Sequence, residues 1–210
     1  SRSPPTPAAA SSPAARPAGL SLAAAIFTLW SAQFIAFMTW LPTYLVTVHE
    51  FDAVTAVIGY SVPVVVVLVF NLVGGAILRS GVPPPQLLLL SIVPQVAAWM
   101  LVPLAERPEV GIAGLVAYGA GAGLTPTALF ALPAFLLRRG ANTSLVFGWL
   151  MAGRNLGVLI GPMVPPMMLD ATGSWTHTAL VLAASTAAIA LLTVFLARRV
   201  DHARRYGTSR

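Results

Sequence analysis

The chain has no cysteine and no lysine, and very little charge of either sign. Without cysteine there is no disulfide, no thiol chemistry and no Cys-based metal site. Charge amounts to twelve arginines and six acids in 210 residues, or 9%, against the roughly 25% of a soluble domain. Hydrophobic residues make up 57% and mean hydropathy is +0.83. The apolar runs lack the polar outer face that a soluble helix needs. A net charge of +6 would suit nucleic acid, but the arginines are spread over loops between membrane-length runs, so no nucleic-acid partner is expected. Arginine without lysine, beside abundant Ala, Gly and Pro, reads as a GC-rich bacterial composition and points to a bacterial inner membrane.

Catalytic constellations are missing as well. There is no GxxxxGK[ST] phosphate loop and no HExxH pair. Serines occur in the runs, but none of the runs holds an Asp, Glu or His at depth, so intramembrane hydrolysis lacks its base or its aspartate pair. The same gap removes a proton relay within this segment. No enzyme activity, cofactor or metal is expected. No signal peptide or initiator Met opens the chain. Residues 1–19, rich in Pro, Ala and Ser, are expected to form a disordered cytoplasmic linker, and the chain to be the back part of a longer protein.

What the sequence does have is six long apolar runs, each able to cross a hydrocarbon core of about 30 Å, for which about 20 helical residues suffice. They cover about 20–48, 53–78, 86–104, 110–137, 143–169 and 177–197. The expected fold is an all-α membrane bundle over 20–199, with a basic cytoplasmic tail at 200–210. The seams alternate in sign. Basic ones hold Arg2 and Arg16, then Arg79, then Arg138 and Arg139, then Arg198, Arg199, Arg204, Arg205 and Arg210. Those between hold Glu50 and Asp52, then Glu106, Arg107 and Glu109, then Asp170. Arginine on every second seam places both termini in the cytoplasm.

Within the runs, small residues at steps of four mark packing faces: Gly119 and Gly123 in the fourth, and Gly153, Gly157 and Gly161 in the fifth. In the first, Trp30, Gln33, Phe37, Trp40 and Tyr44 fall at steps of three and four and share a helix face. That face is either an aromatic packing stripe or the wall of a solute cavity. Tyr118 and Thr125 share a face of the fourth run, where Thr125 either lines a cavity or bonds back to its own helix. Asn71 is expected to hydrogen-bond a neighbouring helix. Arg154, beside Asn155, is the one charge inside a run. Its position about eleven residues from Thr143, or roughly 16 Å in, sets it near the middle of the span. An arginine there costs about 2.5 to 3.5 kcal/mol on insertion scales. With no acid inside any run, its counter-charge is a carbonyl dipole, water, an anionic solute or a carboxylate on another segment.

Three stretches carry a family resemblance: WLPTYL (Trp40 to Leu45), GGAILRSG (Gly74 to Gly81) and AGRNLGVLIGP (Ala152 to Pro162). With the topology, they make the chain similar to the C-terminal six-helix half of a major facilitator superfamily transporter, over about residues 1 to 205. The second stretch resembles a degenerate copy of the family's Gly-x-x-x-Asp-Arg-x-Gly loop. Gly74, Arg79 and Gly81 match, while Leu78 replaces the acid and Val82 and Pro83 the following basic pair. The charge network of that loop is therefore incomplete here. The resemblance implies two inverted three-helix repeats, a matching N-terminal six-helix half as partner, and a midplane solute site. It makes Trp30, Gln33, Phe37, Tyr118, Thr125, Arg154 and Asn155 the candidate substrate-binding residues for a small, possibly anionic solute. A multidrug-type exporter with an apolar cavity and a half-size protein without transport of its own are the alternatives.

Overall fold

The computed structural model describes residues 17–101, 108–137 and 143–207, and over these the chain is helical apart from short turns. The helices are α1 (Pro17–Val48), α2 (Ala53–Arg79), α3 (Pro84–Leu101), α4 (Pro108–Leu136), α5 (Thr143–Ile160), α6 (Val164–Thr172) and α7 (Trp175–Gly207). A 3₁₀ turn, Gly161–Met163, joins α5 to α6, so the two form one span, and six spans are long and apolar enough to cross a bilayer. This is a multi-pass membrane protein. Helix is enforced even on the valine-rich α2, because each backbone group in lipid must find a partner within its own segment.

Most boundaries match the sequence pattern, and two differ. Pro17–Gly19, expected as linker, already belong to α1, and α7 continues through residues expected as a tail. Residues 1–16 and the seam charges Glu106, Arg107, Arg138, Arg139 and Arg210 lie outside the described residues.

Local chemistry sets the ends. Asp52 caps α2: its carboxylate accepts from the Val54 and Thr55 amides at 2.9 and 3.1 Å and from the Thr55 hydroxyl at 2.6 Å. The Thr55 hydroxyl, followed by the Thr55 and Val54 amides, holds the Asp52 carboxyl below the usual carboxylate range. Gly173 ends α6 in the left-handed conformation at φ 63° that glycine adopts without strain. The break in the fifth span follows from its prolines. Pro166 has no N–H, so the carbonyl of Pro162 loses its helical donor. The indole of Trp40 supplies one instead, donating to Pro162 O at 2.9 Å.

The spans pack chiefly as α3 on α4, α2 on α4 and α5 on α1. Glycines set the distances. A Cβ on Gly123 would stand 2.6 Å from the Val67 carbonyl of α2, and one on Gly157 or Gly161 would overlap the α1 backbone at Thr28 or Ala32. The stepped glycines of the fourth and fifth spans are thus helix contacts. The main core gathers Phe27, Leu87, Leu88, Leu129 and Leu132 from α1, α3 and α4. By contrast α2 is largely uncovered: Leu68 and Leu72 are 65% and 71% exposed.

Candidate functional site

The stripe on α1 splits into two environments along its length. Toward the Pro17 end, Trp30 and Gln33 are sealed inside the bundle at 5% and 1% exposure. The Trp30 indole nitrogen and both amide atoms of Gln33 have no hydrogen-bond partner among the described residues. Further along, Phe37 enters a ring cluster. Its centroid lies 4.0 Å from Tyr118 and 5.9 Å from Trp99, and those two are 5.9 Å apart. These rings form the inner end of a cavity of about 310 Å³ between α1, α2, α3 and α4, where Tyr44 and Leu115 also line the wall. That volume is at the lower end for small-molecule sites. Tyr118 is buried, and its hydroxyl has no hydrogen-bond partner among the described residues.

Thr125 does not line that cavity. Its hydroxyl donates to the Gly121 carbonyl of its own helix at 2.9 Å and reaches Ser91 Oγ on α3 at 2.9 Å. Gln95 Nε2 donates to Thr125 Oγ1 and to the Ser91 carbonyl, both at 3.0 Å. The three side chains make a sealed knot between α3 and α4. Asn71 behaves as expected, its Oδ1 accepting from the Thr127 hydroxyl of α4 at 2.9 Å.

Arg154 and Asn155 stand apart from all of these. The fifth span runs from Ser144 to Thr172, so Arg154 is four residues short of its middle residue, about 6 Å off the centre at 1.5 Å per residue. It is displaced toward the end that carries the basic seams. The neighbouring Gly153 seats against Ala24 and Thr28 of α1, below the level of Gln33. The guanidinium donates to Asn155 Oδ1 at 3.2 Å. Arg154 is half-buried and Asn155 exposed, on a helix whose Leu145 and Leu159 are also uncovered. Among the described residues, acids occur no deeper than the ends of the spans.

The candidates thus fall into three groups: Phe37 and Tyr118 at a cavity, Trp30, Gln33 and Thr125 in packed interior, and Arg154 with Asn155 on an open face. Sequence reading passed over α3. Gln95 is a mid-span amide of the same kind as Gln33 and was open to the same argument. Trp99 gave no periodic signal, because its ring partners come from α1 and α4. No family model and no curated protein matches the chain.

Proposed function

We propose that the chain is one six-helix half of a major facilitator type transporter that moves a small anionic solute by alternating access. The observation that carries this is Arg154: a cation within a membrane span whose guanidinium meets a neutral neighbour, Asn155, on an exposed helix face. A charge held at that depth requires a compensating group. No acid from the described interior provides it, and a solute anion passing along α5 would. Asn155 adds a neutral donor and acceptor beside it.

The packing agrees with the reading. The second span rests on the fourth, and the fifth on the first, which is the pairing that exchange of two inverted three-helix repeats generates. The uncovered faces of α2 and α5 give an N-terminal half two helices to close upon. In this reading the ends bearing Arg79 and Arg198 face the cytoplasm of a bacterial inner membrane. Thr125, Gln33 and Trp30 support the half from within, and the solute meets Arg154 and Asn155 where the halves meet.

The test is uptake of radiolabelled small organic anions into membrane vesicles carrying the protein. Arg154→Gln is expected to abolish uptake while leaving helicity and detergent-solubilised yield unchanged. Unaltered uptake kinetics in that variant would remove Arg154 from the site and the anion from the proposal.

A further inference from the structure

Adjoining the first cavity, and sharing Phe37, Leu41, Tyr44, His49 and Trp99 with it, lies a second of about 390 Å³, lined by α1, α6, α7 and the Trp99 ring of α3. Its walls hold three of the chain's five tryptophans, Trp40, Trp99 and Trp175, together with Phe37, Tyr44 and Thr178. The rings meet nearly at right angles: Phe37 and Trp99 at 84° with centroids 5.9 Å apart, Tyr44 and Trp175 at 75° and 5.4 Å. His49 closes the rim against Tyr44 at 77° and 5.3 Å. No Asp, Glu or Arg is among the described lining residues.

Two of these indoles turn their N–H edges into the protein, whereas aromatics of an interface belt turn theirs to headgroups. Trp40 Nε1 is held by Pro162 O and Trp99 Nε1 by Thr186 Oγ1, both at 2.9 Å and both inside the bundle. With these N–H edges fixed inward, the two indoles are locked in place as walls. Thr178, 3% exposed, contributes a hydroxyl with no partner among the described residues.

We propose that this box binds an organic cation of the quaternary ammonium class. Aromatic rings contributed by α1, α3 and α7, with no arginine among the described lining residues, favour a cation whose charge is spread over methyl groups, and such cages are a known use of cation–π attraction. A second observation points the same way. The box opens at the end of the bundle that carries Glu50, Asp52, Glu109 and Asp170 and, among the described residues, no arginine, a potential that gathers cations. The box is also separate from Arg154: the α1 residues against Gly153 are Ala24 and Thr28, whereas those lining the box begin at Ala36. The inference therefore does not depend on the transport reading.

The same chemistry is available from a free cation or from a choline lipid headgroup. The purified full chain, in phosphatidylglycerol nanodiscs, is titrated with choline and with its uncharged isostere, in which a tert-butyl group replaces the trimethylammonium. Tryptophan fluorescence and calorimetry report binding. Choline is expected to bind roughly tenfold more tightly than the isostere, and Trp175→Leu to remove that preference with helicity unchanged. Equal affinities, or no choline binding at millimolar concentration, would overturn the proposal without recourse to any variant. Repeating the titration in phosphatidylcholine nanodiscs identifies the source: a lost choline signal assigns the box to lipid headgroups, and an unchanged one to free cations.

Discussion

Gln33 and Gln95 are both amides at 1% exposure inside the same bundle, and their situations are opposite. Gln95 donates across a helix interface to Thr125 and back to Ser91, whereas Gln33 has no partner among the described residues. Removing a buried group that makes hydrogen bonds loses them, while removing one that makes none relieves its desolvation. Interhelical hydrogen bonds in membranes average about 0.6 kcal/mol and reach about 1.7. Gln95→Leu should therefore destabilise the protein by about 1 kcal/mol, and Gln33→Leu should leave stability unchanged or raise it. Reversible unfolding in mixed micelles measures both. Equal losses would mean that Gln33 has a partner of its own, such as a buried water.

At the scale of elements, the glycine steps of the fifth span separate a contact from mere composition. Gly157 has no room for a side chain, because the atoms in the way are the Thr28 carbonyl and the Ala32 amide of α1, which are backbone and do not yield. Gly148, on the same helix, has nothing within 4 Å. Overpacking costs about 1 to 3 kcal/mol, and a glycine-to-alanine change in an open helix position gains up to about 1 kcal/mol. Gly157→Ala should lower the melting temperature and Gly148→Ala hold or raise it, read from thermal loss of the circular dichroism signal. A fall of similar size in both would show that α5 does not pack on α1 through its Gly153–Gly161 edge. The sequence announced these glycines through their spacing, and Asn71 through its polarity inside an apolar run. It could not announce their partners, since the choice of α1 for α5, or of Thr127 for Asn71, is made by tertiary packing. Thr125 illustrates the same limit. Its bond back to Gly121 is a local option that the sequence contains, but the bonds to Ser91 and Gln95 exist only once α3 lies against α4.

For the whole molecule, the two ends of the bundle differ in charge, and each proposal depends on which end faces which side. The acidic seams lie beside the aromatic box, and Arg154 is displaced toward the basic ones. The proposed orientation, by the positive-inside rule, has Arg79 and Arg198 in the cytoplasm. Because the chain has no cysteine, single introduced cysteines report their side of the membrane without background. Ser80, at the end of α2, and Ala171, near the end of α6, are both exposed at opposite ends of the bundle. A membrane-impermeant maleimide applied to intact cells should label Ala171→Cys at once and Ser80→Cys only after lysis. The reverse result would invert the orientation, placing the cation box on the cytoplasmic side and Arg154 in the outer half of its span. Labelling of both from outside would mean that the three spans between them, α3, α4 and α5–α6, do not all cross. With the expected result, an external cation reaches the box without entering the bilayer, and a solute anion meets Arg154 only after passing the middle of the membrane.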